Sequence, residues 1–502
     1  MSDVIKALQL GSTDWTKQYK IPDNLELQFA EEFLAAPKKP YDVVFLDRSI
    51  KKEEYQPLME AVKAHTLFVT GRVAKKGITG KLMDNKLAKR LQDNEIQPFL
   101  LQETRNYFSY SYGEKFSLKE INIAQGFQGT VLWNGNYSVT LQGDYGTEYN
   151  QVAFWRNNIP IFHGQAIEFW LEYRKDPGVE ISLQATQFVR GSLSDVQQSW
   201  TFSEEELEDI VTVDNQMGDG PVFVTLLAKG QGMIHILALH DRHSRRGHGT
   251  FLPGGERYVV SNREEVFAYF DPGDRKPPLN VYFSGYKARQ GFEGYNMMRK
   301  MGCPFLLISD ARLEGGAFYM GVEEYEQMIR DVIMKHMQEL GFSGDDVILS
   351  GLSMGTYGAL YYGCDIRPHA LLLGKPLASI GDVATNERLN RPGGFPTSLD
   401  VVHYHCGDTS EVAAEWLNKR FWDKFDETDF GRTKFIVSYM MEDDYDGTAY
   451  EELINHLWSA GVKLYGKGIH GRHNDDTGAI VGWFSSQFKR VLREDFGRKM
   501  EE

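Results

Sequence analysis

The chain has 502 residues, of which 42% are hydrophobic and 25% charged, and 70 acidic side chains outnumber 55 basic ones to give a net charge of −15. This length exceeds what one hydrophobic core usually organises, so we expect two or three domains. The acidic balance argues against a general nucleic-acid binder.

The N-terminus and the cysteines indicate the compartment. The first 20 residues contain neither an apolar stretch nor a cleavage site of small residues, so no secretory signal peptide is predicted. No run approaches the ~18 apolar residues that a transmembrane helix needs. Cys303, Cys364 and Cys406 are widely spaced and odd in number, which fits neither a disulfide framework nor a zinc site. We therefore expect a cytosolic chain with reduced, buried cysteines.

Residues 1–103 are predicted to form a small α/β lobe. The apolar runs 41–48 and 65–72 are typical of strands, and the segments 51–64 and 85–94 have the spacing of helices. This alternation favours a parallel sheet. No glycine-rich phosphate loop follows either strand, so a nucleotide site is not indicated.

Residues 104–244 are predicted to form a β-rich, sandwich-like domain. Short runs of β-branched and aromatic residues are interrupted by Gly, Asn and Asp, which is typical of an antiparallel sandwich. Trp133, Tyr137, Trp155 and Trp170 could form a platform for sugar rings, although core packing is the favoured interpretation. The region is therefore a candidate carbohydrate-binding domain.

The basic segment 241–249 lies at the C-terminal end of this region and contains histidines. These histidines have no carboxylate or cysteine neighbours at the spacing of metal ligands. We expect a solvated loop there, and no metal site is predicted in the chain.

Residues 245–502 are predicted to form an α/β domain. Apolar strand runs alternate with amphipathic helices at 323–341 and 450–461, which predicts a parallel sheet covered on both faces. The predicted strands are 265–272, 279–286, 305–312, 346–352, 370–377, 434–441 and 463–469.

Ser353 is the central residue of a Gly-x-Ser-x-Gly sequence at 351–355. The pentapeptide alone is a weak signal, because a chain of this composition often contains one by chance. Its context is more specific: a strand runs directly into it and a helix with small residues on one side runs out of it. This is the strand–turn–helix of a nucleophile elbow, and it favours an α/β-hydrolase fold with Ser353 as the nucleophile.

A serine hydroxyl needs a base, and in this fold an acid and then a histidine follow the serine, each after a later strand. His470 and His473 both follow the last predicted strand. A base must reach back over the serine, so we favour His473, which lies further along the loop. His470 is interpreted as a packed or hydrogen-bonded residue at the strand end.

Four acidic residues follow the preceding strand: Glu442, Asp443, Asp444 and Asp446. Only one of them can hold the imidazole and stabilise its protonated form. Asp443 is favoured because it lies close behind the strand end, and the other three remain alternatives.

The oxyanion hole and the pocket are predicted from the same fold. One donor is the backbone N–H of Met354, which follows the nucleophile, and the second is the N–H of Tyr286 in the loop after the third strand. The loops 287–295, 374–382 and 391–400 could line the substrate pocket.

The segments 347–363, 371–377, 390–400 and 468–484 carry a more specific similarity. On these residues the chain resembles the accessory Sec system proteins of Gram-positive bacteria, in particular the second of the three accessory secretory proteins. The similarity extends over nearly the whole length.

The resemblance implies a glycan O-acetyltransferase with an α/β-hydrolase fold. Members look like serine-dependent enzymes that acetylate N-acetylglucosamine on serine-rich-repeat adhesins and take part in adhesin export. Their nucleophile and histidine match Ser353 and His473, and their acid matches the segment that contains Asp443.

The implied partners are the other two accessory secretory proteins, the serine-rich-repeat glycoprotein and the motor of the accessory translocase. The implied location is the cytoplasm, including the inner face of the membrane translocase. No bound cofactor is expected, and the resemblance does not identify the acetyl donor. The alternatives to a transferase are a non-catalytic export scaffold and a carbohydrate esterase.

Overall fold

The computed structural model describes residues 4–192, 194–391, 393–458 and 461–500. It contains three sheets, which follow one another along the chain. The first sheet is formed by the N-terminal part of the sequence, the second by the middle part and the third by the C-terminal part.

The N-terminal sheet has five parallel strands in the order β2-β1-β3-β4-β5. Buried side chains on both faces pack under short helices. The strands are β1 (Ile5–Leu10), β2 (Leu25–Ala30), β3 (Val43–Leu46), β4 (Leu67–Thr70) and β5 (Lys89–Leu91), and the helices are α1 (Tyr55–Ala61), α2 (Gly77–Asn85) and α3 (Ile96–Pro98).

The helix predicted over 85–94 is wrong, because this segment contains the edge strand β5. Helix α2 ends at Asn85, where that prediction begins. Leu91 is buried in a cluster with Phe45 and Phe99. Pairing with the free edge of β4 and burial of Leu91 outweigh the favourable helix propensity of the Lys, Leu and Arg residues in the segment.

The middle sheet has ten strands, and all of its ladders are antiparallel, which confirms the predicted β-rich region. The 24-residue β15 pairs with five other strands, namely β6, β9, β10, β11 and β12. The strands are β6 (Gly113–Lys115), β7 (Ile121–Ile123), β8 (Thr130–Asn134), β9 (Ser138–Trp155), β10 (Ile159–Ile161), β11 (Ala166–Lys175), β12 (Val179–Phe188), β13 (Val196–Phe202), β14 (Val211–Asp214) and β15 (Gly220–His243).

The four aromatic residues singled out in this region do not form one exposed platform. Trp155 and Trp170 are buried, whereas Trp133 is half exposed. Core packing is therefore the correct interpretation for the two buried rings.

The basic segment 241–249 is not the solvated loop that the sequence predicts, because Arg242 and Arg245 are buried. The Arg245 guanidinium donates to the backbone carbonyls of Asn106, Tyr110 and Phe251. These carbonyl acceptors offset the cost of removing the guanidinium from water.

The C-terminal sheet has eight strands in the order β16-β17-β19-β18-β20-β21-β22-β23. The first two are antiparallel to their neighbours and the other six are mutually parallel. The strands are β16 (Glu256–Val259), β17 (Glu265–Asp271), β18 (Leu279–Phe283), β19 (Phe305–Asp310), β20 (Val347–Leu352), β21 (Ala370–Gly374), β22 (Lys434–Met440) and β23 (Lys463–Ile469).

Eight helices accompany this sheet in the described part of the chain, and helix α6 follows β20 directly, as predicted for a nucleophile elbow. This strand order and the α/β layering confirm the predicted α/β-hydrolase fold. The helices are α4 (Tyr295–Lys300), α5 (Glu323–Leu340), α6 (Met354–Ile366), α7 (Ile380–Leu389), α8 (Thr397–Cys406), α9 (Glu411–Asp426), α10 (Ala449–Leu457) and α11 (Thr477–Glu494).

The cysteines are free thiols. Cys303 and Cys364 are buried, and Cys406 is partly exposed. Over the described residues, every helix is too short or too polar to cross a membrane.

Candidate active site

Ser353 lies at the sharp turn between β20 and α6. Its backbone has φ 53° and ψ −123°, a strained conformation for a residue with a side chain. The flanking glycines make this turn possible: a Cβ on Gly351 would overlap the backbone of Gly355, and a Cβ on Gly355 would overlap the carbonyl of Phe283. The predicted elbow is therefore formed, with the partly exposed Ser353 at its tip.

Ser353, His473 and Asp443 come together although the three residues are distant in sequence. Ser353 Oγ lies 2.8 Å from His473 Nε2, and His473 Nδ1 lies 2.8 Å from Asp443 Oδ2. The side chains of His473 and Asp443 are 2% and 5% exposed, so protein rather than water surrounds this pair. The arrangement can carry a proton from the serine hydroxyl to a histidine oriented by a carboxylate.

The other acidic residues and the other histidine have different partners. Glu442 lies 3.0 Å from the ring of His470, which is 83% exposed. Asp444 accepts from the backbone N–H of His473 and forms an ion pair with Arg391 at 3.0 Å. Asp446 is buried and accepts from two backbone N–H groups just before α7. Of the four candidate acids, Asp443 is the one within hydrogen-bond distance of the His473 ring.

Tyr445 stacks on the His473 ring, with the centroids 4.2 Å apart and the planes 6° from parallel. The Arg391 guanidinium lies 3.9 Å from the centroid of the same tyrosine ring. The Tyr445 backbone N–H donates to Asp443 Oδ1 at 2.8 Å. Tyr445 therefore contacts both the histidine and the carboxylate and restricts how far each can move.

Lys375 follows the end of β21 and is buried behind the histidine loop. Its ammonium donates to the carbonyl oxygen of His473 at 2.7 Å and to Thr477 Oγ1 at 2.9 Å. Burial lowers the pKa of Lys375, and the nearby Asp443 carboxylate acts in the opposite direction. Lys375 thus joins the histidine loop to the start of α11.

Sequence reasoning missed specific roles for Tyr445, Arg391 and Lys375. One signal could have identified Lys375, since it follows a parallel strand at the same sheet edge as Ser353. Tyr445 and Arg391 are brought together by stacking between two loops, for which the sequence contains no periodic signal.

The two predicted oxyanion donors lie at the same edge of the sheet. Met354 begins α6, and its side chain contacts the backbone of Gly316. Tyr286 follows β18, and its ring contacts Gly315 in the loop after β19. Their roles as donors remain predictions.

A buried cluster outside this site joins Glu172, His240 and Glu265, whose ligand atoms lie within 4.8 Å of one another. Arg242 and Arg257 both bind the Glu265 carboxylate. Burial alone would raise the pKa of Glu265, but the two guanidinium groups lower it to about 2. The charge of Glu265 is therefore already neutralised by arginine, and the charge of Glu172 is opposed by His240 and Lys115.

The chain matches the family described as Accessory Sec system GspB-transporter over residues 5–498. It is 38% identical to an accessory Sec system protein of Streptococcus gordonii, over 99% of this chain and 100% of that protein. It is 40% identical to one of Staphylococcus aureus, over 81% of this chain and 80% of that protein.

A solved structure with the same overall architecture is the Glycosylation Associate Protein (Gap123) complex from Streptococcus agalactiae. The TM-score is 0.88 at 37% identity, over 99% of this chain and 100% of that chain. These matches confirm the resemblance drawn from the sequence.

Proposed function

The chain belongs to the accessory Sec system GspB-transporter family, and on this premise we propose that it is a serine-dependent O-acetyltransferase. Its acceptor is N-acetylglucosamine on serine-rich-repeat adhesins, whose export it also assists through the accessory Sec system.

One observation carries the enzymatic part of the proposal. Ser353, His473 and Asp443 form an unbroken chain of two hydrogen bonds, each 2.8 Å long, on a strained elbow of a hydrolase sheet. A structural serine requires neither the strained turn nor a buried histidine with a carboxylate behind it.

In the first half of the reaction, Ser353 Oγ attacks the carbonyl carbon of the acetyl donor while His473 Nε2 takes the hydroxyl proton. The bond from that carbon to the leaving group breaks, and the leaving group takes the proton from His473. The product is an acetyl ester on Ser353. Asp443 holds the imidazole and stabilises its protonated form.

In the second half, His473 Nε2 takes the proton of a sugar hydroxyl whose oxygen attacks the acetyl carbon. The bond to Ser353 Oγ breaks, Oγ regains the proton from His473, and the acetyl group is left on the sugar. The N–H groups of Met354 and Tyr286 are proposed to stabilise the oxyanion in both halves. Water in place of the sugar would make the same residues an esterase, which is the third candidate.

The test is mass spectrometry of adhesin glycans from cells that carry the wild-type chain, Ser353→Ala, His473→Ala or His470→Ala. We expect acetylated glycans with wild type and His470→Ala and none with the other two variants. His470 is a matched control because it lies in the same loop but faces solvent. Unchanged acetylation with Ser353→Ala would refute the enzymatic proposal.

A role in export is favoured separately by the family match, which extends along the whole architecture. We propose as partners the other two accessory secretory proteins, the adhesin and the translocase motor. The proposed location is the cytoplasm, at the inner face of the translocase. A solved relative carries the description of a complex, which supports the first of these partners.

Comparing adhesin export in the deletion strain and in Ser353→Ala separates the two roles. If export fails in the deletion strain but continues in Ser353→Ala, the export role belongs to binding surfaces of the chain rather than to acetylation. Equal loss of export in both strains would mean that transport depends on acetylation, and normal export in the deletion would exclude the role.

A further inference from the structure

A cavity of about 330 Å³ lies between the middle sheet and the C-terminal sheet. Its size is within the range of small-molecule sites, roughly 300–1,000 Å³. One wall comes from the middle region, including Lys115 and Asn157, and the opposite wall comes from the loops after β18 and β19, including Gly285 and Glu314.

The cavity adjoins the nucleophile elbow. Gly285 forms part of its wall and directly precedes Tyr286, the predicted oxyanion donor, and a Cβ on Gly285 would lie 3.0 Å from the carbonyl oxygen of Leu352. Gly315, on the loop after β19, touches the Tyr286 ring. A molecule held in the cavity is therefore next to the loops that surround Ser353.

Two polar groups of the cavity make no hydrogen bond among the residues that the structure describes. Asn157 Oδ1 is buried and accepts no hydrogen bond. The Lys115 ammonium makes no hydrogen bond there: burial lowers the pKa of this lysine, and the nearby Glu172 carboxylate acts in the opposite direction. Because such groups are costly to leave unsatisfied, a ligand that donates to Asn157 and accepts from Lys115 would bind favourably.

The lining contains four carboxylates and three cationic side chains, so its net charge is small and negative. Arg289 forms an ion pair with Glu114 at 2.8 Å. The Asp310 carboxylate forms an ion pair with Arg312 at 2.8 Å. The charged part of the lining is completed by Lys115, Lys287, Glu120 and Glu314. A lining with one more carboxylate than cationic side chains disfavours a polyphosphate or another strongly anionic ligand.

We propose that this cavity binds an uncharged sugar unit and that this sugar is the acetyl acceptor. Each sugar hydroxyl both donates and accepts hydrogen bonds, so one ring can satisfy the Asn157 oxygen and the Lys115 ammonium together. The assignment as acceptor rests on the proposed function, whereas the binding of a sugar does not.

The test is a ligand-observed NMR titration of the full chain with N-acetylglucosamine, in a Ser353→Ala background that prevents turnover. Adding Asn157→Ala is expected to weaken binding about fivefold and Lys115→Met about tenfold, the losses usual for a neutral and a charged hydrogen bond. Asn158→Ala is the matched control, because the neighbouring Asn158 is exposed and does not line the cavity. It should leave the affinity unchanged.

Asn157 Oδ1 accepts no hydrogen bond within the protein, so Asn157→Ala breaks none there. We therefore expect this variant to have the same melting temperature as the parent. If it nevertheless unfolds, Lys115→Met carries the test alone. Coenzyme A, whose phosphates make it a polyanion, is titrated in parallel as a probe for binding of a polyanionic ligand in the cavity.

The proposal is overturned if the sugar does not bind, if both cavity variants bind it as tightly as the parent, or if coenzyme A rather than the sugar loses affinity in them. A different result separates the two proposals. If the sugar binds and the cavity variants weaken it, but wild type transfers no acetyl group, the proposed function fails while the sugar site stands.

Discussion

At the scale of single residues, His473 is held from several directions. Its two ring nitrogens face Ser353 and Asp443, its ring stacks on Tyr445, and its carbonyl oxygen accepts from Lys375. An imidazole held in this way has little rotational freedom. The geometry for proton transfer is therefore set before a substrate arrives.

Asp443→Asn should lower the rate of the proposed acetyl transfer by about 10³–10⁴-fold, because the amide favours the wrong tautomer of His473. Glu442→Gln is the matched control, since Glu442 is adjacent in sequence but pairs with the exposed His470. The measurement is the rate of acetyl transfer by the two purified variants. Equal rates would show that Asp443 does not orient the base.

Asp446 should make stability depend on pH. Burial raises the pKa of this carboxyl to about 7, although two backbone N–H groups oppose the shift. In the unfolded chain an aspartate has a pKa of about 3.9, so the folded state holds the proton more tightly. Folding stability contributed by this group is therefore present below pH 4 and decreases as pH rises towards 7.

Between pH 5 and pH 8, we expect the free energy of unfolding of wild type to fall by roughly 2–3 kcal/mol more than that of Asp446→Asn. Urea denaturation at the two pH values measures this difference. Parallel pH profiles for the two proteins would contradict a raised pKa at Asp446.

The residues that could be predicted from the sequence are those tied to strand ends. Ser353 lies in a motif with a defined strand–turn–helix, and His473 follows the last strand of the sheet. The stacking of Tyr445 on His473 is a contact between two loops. Neither motif nor periodicity encodes such a contact, because it depends on how both loops close.

At the scale of the elements, the elbow depends on the close approach of α6 to β18. The backbone at Gly355 lies so near the carbonyl of Phe283 that a side chain would overlap it. The approach places the N-terminus of α6 next to Ser353, where its free N–H groups can meet a developing negative charge.

Gly355→Ala should therefore lower the free energy of unfolding by about 2–3 kcal/mol through overpacking. Gly482→Ala is the matched control in helix α11, where the added methyl group would meet open space. That change should stabilise the chain by about 0.5–1 kcal/mol through helix propensity. Chemical denaturation compares the two variants, and similar changes of the same sign would show that the space at Gly355 is not limiting.

The parallel strands of the hydrolase sheet could be predicted because each is an apolar run buried on both faces. The short edge strand β5 could not, because two of its three residues are charged and exposed. Only its pairing with β4 distinguishes it from a helix, and that pairing is a property of the assembled lobe.

At the scale of the whole molecule, buried polar contacts join the middle sheet to the C-terminal sheet. Arg242 of β15 donates to Glu265 of β17 at 2.8 Å and to Gln290 at 2.9 Å. The sequence predicts neither this link nor the cavity, because both lie between regions that it describes separately.

Arg242→Met should lower the free energy of unfolding by about 3 kcal/mol. The change removes one of the two guanidinium groups that bind the buried Glu265 carboxylate and leaves only Arg257. Arg289→Met is the matched control, since Arg289 forms an exposed ion pair with Glu114 across the same boundary. That pair should contribute less than about 1 kcal/mol. If the two variants lose the same free energy of unfolding in thermal or chemical denaturation, burial of the ion pair between Arg242 and Glu265 does not increase its contribution to stability.

The long strand β15 has a consequence for how the chain folds during synthesis. Five strands that come earlier in the sequence pair with β15, which is the last strand of its sheet to leave the ribosome. Until residue 243 has emerged, β9, β11 and β12 each have an edge without its final partner. Such edges are open to intermolecular pairing, so we expect the nascent chain to be most prone to aggregation just before β15 is complete.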